Sequence, residues 1–242
     1  MKKFLPIIIL LLGALVLVGV FFFLKSRKSD SSDGEESVPE VAFADRPVTS
    51  LTPSEDGHWL KLKVEKLKIK AKTLDYELLY ELPDGRTQGV PGTVELGSMQ
   101  LIERDLLLGS ESSGKFRYDE GVKEGTLTLR FRNDKGKLSA KFTTPFSLIS
   151  ETKEIASVDD EFKFTLDESS DAFFLVMETF GASDGYPSGI SAGPFGIFSV
   201  SEDLSGVVSL GSGSIHGYFS GDWNKLDSGK SQNLGIFVGT SE

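Results

Sequence analysis

The run Phe4–Leu24, FLPIIILLLGALVLVGVFFFL, holds twenty-one residues without a charge, between Lys2-Lys3 on one side and Lys25, Arg27 and Lys28 on the other. As a helix rising 1.5 Å per residue it would span roughly 32 Å, about the hydrocarbon thickness of a bilayer. Residues 1–28 are therefore expected to form a single transmembrane helix with basic flanks, its partner the lipid bilayer, and everything after Lys28 becomes a body carried on that anchor. A cleaved signal peptide fits less well, because its apolar core is shorter and ends at a small-residue site, whereas this run ends in Phe21-Phe22-Phe23-Leu24. Pro6 sits in the first turn, where a missing N–H costs nothing. The flanking charges nearly balance, so orientation follows from the long C-terminal part, since long domains cross largely regardless of charge. The C-terminal domain is expected outside the cytoplasm.

Charge is distributed unevenly along the remainder. Residues 29–56 carry eight acids against Arg46, residues 57–149 sixteen bases against thirteen acids, and residues 150–242 four bases against fifteen acids. An acidic outer half argues against nucleic acid as a partner, because phosphate binding needs clustered Lys and Arg. The change of sign also suggests a boundary near residue 150. The chain has no cysteine, which removes disulfides, a thiol nucleophile, thiolate metal sites and a lipoprotein-type anchor.

Residues 29–56 are expected to be a disordered acidic linker. Ser29–Ser37 contains no apolar side chain to bury, and Pro39, Pro47 and Pro53 space out the rest. From His58 the apolar period becomes two. Leu60, Leu62 and Val64 alternate with Lys61, Lys63 and Glu65; after Lys66 the phase slips, and Leu67, Ile69 and Ala71 take up the alternation. Alternation marks half-buried strands, and the slip marks a bulge or a break. Strands also follow at Tyr76–Leu82, Val94–Leu96, Leu106–Leu108 and Phe116–Tyr118. Leu127–Phe131 and Leu138–Phe142 flank Asn133-Asp134-Lys135-Gly136 and read as a hairpin.

Beyond Pro145, Phe162, Phe164 and Leu166 alternate, and Ala172–Phe180 is a near-continuous apolar run, as for a strand buried on both faces. Glycine is dense after Gly181, with aromatics between, and no amphipathic helix appears. The fold class is therefore all-β: the transmembrane helix, then one or two antiparallel β-sandwiches. Residues 57–149 form one sandwich domain. Residues 150–242 form a second Gly/aromatic-rich β domain or the second half of a larger sandwich. The strand rhythm of residues 58–148 resembles an immunoglobulin- or fibronectin-III-type module.

The chemistry available is narrow. With only two histidines, His58 and His216, the chain cannot build a His-rich metal site, and neither metal nor cofactor is expected. Serines near His216 and Asp222 supply the residue types of a Ser-His-Asp triad, without the strand–turn–helix setting of a nucleophile elbow. Membrane-anchored signal peptidases carry a Gly-Ser-Met nucleophile segment, a lysine general base and a later Gly-Asp…Asp-Ser-Arg box. Gly97-Ser98-Met99 and Gly221-Asp222…Asp227-Ser228 resemble those segments, although Gly229 replaces the Arg and the available lysines, Lys137 and Lys141, sit on the hairpin. That resemblance implies a membrane-tethered serine hydrolase. The competing reading assigns no catalytic residue and places a protein or glycan ligand on Tyr218, Asp222, Trp223 and Asn224, where aromatic faces stand beside polar groups. A membrane-anchored envelope protein with a non-catalytic, structural or adhesive β ectodomain is the principal expectation.

Overall fold

The computed structural model describes residues 38–201 and 203–241; the expected anchor Phe4–Leu24 and residues 29–37 of the expected linker lie outside them. Among the described residues no helix is long and apolar enough to cross a membrane. The fold is all-β with antiparallel sheets, consistent with a β-sandwich. In chain order the strands are β1 (Val48–Pro53), β2 (Trp59–Glu65), β3 (Thr73–Glu81), β4 (Thr87–Glu95), β5 (Leu101–Leu107), β6 (Gly109–Ser112), β7 (Lys115–Tyr118), β8 (Glu124–Arg132) and β9 (Leu138–Ile149). They continue as β10 (Thr152–Ala156), β11 (Phe162–Ser170), β12 (Phe174–Glu178), β13 (Ile190–Phe198), β14 (Gly206–Leu210), β15 (Ser214–Phe219), β16 (Asp222–Lys225), β17 (Lys230–Ser231) and β18 (Ile236–Thr240).

A nine-stranded sheet in the order β16-β15-β18-β13-β12-β9-β8-β3-β4 forms the frame. A three-stranded sheet, β1-β2-β5, and a four-stranded sheet, β10-β11-β14-β17, cover parts of it, and β6-β7 is a separate hairpin. Two apolar clusters show how the layers meet. The first joins Leu51, Leu60, Leu62, Val64, Ile102 and Leu106 of the three-stranded sheet to β3, β8, β9 and, through Leu175 and Met177, β12. The second joins Phe162, Phe164, Leu166, Val208 and Leu210 of the four-stranded sheet to β13, β18 and, through Phe174 and Val176, the same β12. Because side chains alternate across a strand, the two small sheets lie on opposite faces of the large one. β12 is the strand common to both cores, which accounts for its unbroken apolar run.

Local sequence explains the individual elements. Leu60, Leu62 and Val64 are buried while the intervening lysines and Glu65 face solvent or the rim. The phase slip is a break: Lys66 adopts φ 58°, and residues 66–72 form an irregular connector between β2 and β3 rather than a further strand. β3 and β4 join through Pro83-Asp84-Gly85, with Gly85 at φ 81° and its N–H donating to the Leu82 carbonyl at 2.8 Å. The Asn133–Gly136 turn closes β8 onto β9 as expected, the Asn133 side chain accepting from the Lys135 and Lys137 amides.

Two expectations are corrected. The linker does not extend to residue 56, because Val48–Pro53 is strand β1, paired with β2 from Val48↔Glu65 to Pro53↔Leu60; Leu51 is completely buried, enough to anchor a segment that prolines and acids surround. The strand expected at Val94–Leu96 begins earlier, because β4 runs from Thr87 to Glu95 and holds Pro91-Gly92 in its interior. β4 ends the nine-stranded order, and an edge strand tolerates a residue without an N–H. The change of charge sign near residue 150 marks no gap in the sheet, since β9, which ends at Ile149, pairs directly with β12.

Candidate functional site

The turn between β1 and β2 places a histidine between two carboxylates. Ser54 Oγ donates to Asp56 Oδ1 at 2.6 Å, and the His58 backbone N–H donates to the same oxygen at 3.1 Å. Gly57, at φ 71°, lets the chain reverse; its bare Cα is also needed because the Phe173 ring occupies the space a Cβ would take. The His58 ring then lies with Nε2 3.3 Å from Glu120 Oε1. Nδ1 is 3.1 Å from Asp56 Oδ2, an ion-pair distance without the alignment of a hydrogen bond. Burial pushes the His58 pKa down, but the contacts with Asp56 and Glu120 outweigh it and leave it raised. Asp56 is lowered to about 2, chiefly by the Ser54 hydroxyl and then by the His58 amide.

On the side of the ring towards the β6-β7 hairpin, His58 stacks on Tyr118 with centroids 4.2 Å apart and planes 13° apart. Tyr118 and Phe116 are parallel within 7° at 6.2 Å, and Trp59 meets Phe116 edge-on at 5.6 Å. Strand alternation puts Phe116 and Tyr118 on one face of β7, with Lys115 and Arg117 on the other. A four-ring ladder thus fastens the hairpin to the start of β2. His58 also lines a cleft of about 490 Å³ with Asp56, Asp119, Glu120, Lys123 and Phe173. Beside that cleft Tyr80 donates its hydroxyl to Asp119 at 2.8 Å; burial and then that carboxylate push the phenol well above its ordinary pKa.

The four residues expected to bind a ligand all lie on the β15–β16 hairpin but not together. Tyr218 pairs with Trp223 and His216 with Lys225, whereas Phe219 pairs with Asp222 and Gly217 with Asn224. Directly opposed residues share a face, so the two aromatics stand on one side and Asp222 and Asn224 on the other. Tyr218 and Trp223 have ring centroids 5.3 Å apart, and the Trp223 indole donates to the Ser183 carbonyl at 3.1 Å. That bond and ring contact hold Trp223 half-buried. Phe219 packs against the second core.

The hydrolase elements are also dispersed. Asp222 is on the opposite hairpin face from His216, whose buried Nδ1 has no hydrogen-bond partner; burial, then Lys225 across the strands, lower its pKa. Ser98 is exposed in the turn after β4, at one end of the nine-strand order, while Gly221-Asp222 opens β16 at the other. Eight strand spacings separate those ends, roughly 38 Å along a flat sheet.

Sequence reasoning counted His58 and read Phe116 and Tyr118 as strand residues, but did not bring them together. Glu120 is sixty-two positions from His58, and no local pattern encodes that meeting. The one available signal was β7 itself, a Lys-Phe-Arg-Tyr strand whose four residues are all exposed. No family model, curated protein or solved structure matches this chain.

Proposed function

We propose that this is a membrane-anchored envelope protein whose β domain stands outside the cytoplasm and serves a non-catalytic, structural or binding role. The observation that supports the non-catalytic part of the reading is the state of His58. Its ring is engaged by Glu120, approached by Asp56 and stacked on Tyr118, so it carries no hydroxyl in the way a general base would. His58 is committed instead to holding an aromatic surface. The finer architecture belongs to the same proposal: a transmembrane helix at Phe4–Leu24, then two sandwich modules of immunoglobulin or fibronectin-III scale that share β12. The apolar length of the run and its basic flanks support the anchor, and the two opposed cores support the paired modules.

A tag placed after Glu242 and exposed to protease in intact cells or spheroplasts tests the topology. Removal of the tag from outside is the expected result. Protection until the membrane is lysed would place the domain in the cytosol and end the envelope reading.

A further inference from the structure

We propose that the exposed face of the β6-β7 hairpin and the adjoining His58 cleft form a carbohydrate site that takes a neutral sugar chain, a reading that rests on the non-catalytic binding role above. No residue of β6 or β7 belongs to either core, and a lone two-stranded hairpin is marginal in water. Phe116 is nevertheless 46% exposed and Tyr118 37% exposed. These rings do not fill a core. They are held parallel by His58 on one side and Trp59 on the other, so their orientation is set before a ligand arrives. Fixed aromatic faces offer a large contact area at small entropic cost, and the C–H face of a pyranose ring is a flat apolar surface of matching kind.

The polar half of the site adjoins them. Glu120, whose side chain is 82% exposed, uses Oε1 on His58, and Asp119 uses Oδ2 on Tyr80. Each carboxylate has further acceptor positions that hydroxyl donors can use, and the cleft volume of about 490 Å³ lies within the usual range of small-molecule sites. Charge selects against one alternative. Asp56, Asp119, Glu120 and the chain's net charge of −10 oppose a polyanion. A neutral polyhydroxyl ligand does not meet that obstacle and brings the hydroxyl donors that these carboxylates accept.

The test uses the full-length chain in a sugar-free detergent, with Trp223→Phe so that Trp59 is the only fluorophore of its kind. Cellotetraose, maltotetraose and chitotetraose are the probes. A saturable change in Trp59 fluorescence with at least one of them is expected, weakened about tenfold or more by Phe116→Ala and preserved by Phe116→Tyr. Melting of the Phe116→Ala variant at the parent temperature shows that lost binding is not lost folding. The proposal is overturned by no saturable response to any probe, by binding that Phe116→Ala leaves unchanged, or by a response only to an oligolysine octapeptide. Shortening of the bound probe on chromatography would instead overturn the non-catalytic role and leave the sugar site standing. The protease test decides location independently of both.

Discussion

His58 and His216 are the chain's only histidines, and their surroundings drive them apart. In each, burial lowers the pKa. Two carboxylates reverse that for His58, whereas Lys225 reinforces it for His216. Their imidazole resonances should titrate on opposite sides of the ordinary value near 6.5; coincident midpoints in an NMR titration would contradict the geometry. The sign for stability follows from linkage. A raised histidine contributes fully below its unfolded pKa and loses that contribution as pH rises through the folded value. Asp56, held at about 2, contributes above the ordinary carboxylate range and loses its contribution as pH falls towards that value. The fastening of the hairpin is therefore strongest between about pH 4 and pH 6.5. His216, lowered, contributes with the opposite sign, so the measurable quantity is a difference: between about pH 6 and pH 8 the parent should lose more melting temperature, or gain less, than the His58→Gln variant. Of this site only the individual side chains were legible in the sequence, because a contact such as His58–Glu120 depends on the register of strands far apart in the chain.

Among the elements, β12 is the most constrained. It lies between β9 and β13, and Leu175 and Phe174 face different cores, both fully buried. Leu175→Ala and Phe174→Ala should each lower the unfolding free energy by about 2–5 kcal/mol, measured by chemical denaturation. A cost near zero for either would mean that its core is not packed as described. β12 was readable from its apolar run, and β8–β9 from alternation around an Asn-Asp-Lys-Gly turn, because in both the local pattern agrees with the fold. β1 was missed since Val48 and Leu51 sit among prolines and acids that resemble a tether. β4 was shortened since Pro91 reads as a strand breaker unless the strand is known to lie at an edge. Edge status is a property of the assembled sheet, not of the segment.

For the described body as a whole, neither core can be dismantled without disturbing β12. The two halves should unfold together, and the tryptophans report on them separately: Trp59 lies in β2 over the first core and Trp223 in β16 towards the other end of the large sheet. Thermal curves of the Trp59→Phe and Trp223→Phe variants, after correction for any shift in stability, should superimpose; a separation of several degrees would show independent units. Strand order is the part of the architecture the sequence concealed most fully. β9 passes over β10 and β11 to reach β12, and β13, paired with β12 on one side, takes β18 rather than β14 on the other. The uneven charge near residue 150 does not mark where a sheet stops, since β9 pairs with β12 across it. The shared strand also bears on inheritance. Modules are ordinarily duplicated, lost or traded whole, but here a recombination that removes either half takes one wall from the half that remains. The β6-β7 hairpin belongs to neither core and is under no such restraint, so a lineage carrying this fold can exchange that hairpin while its two halves descend together.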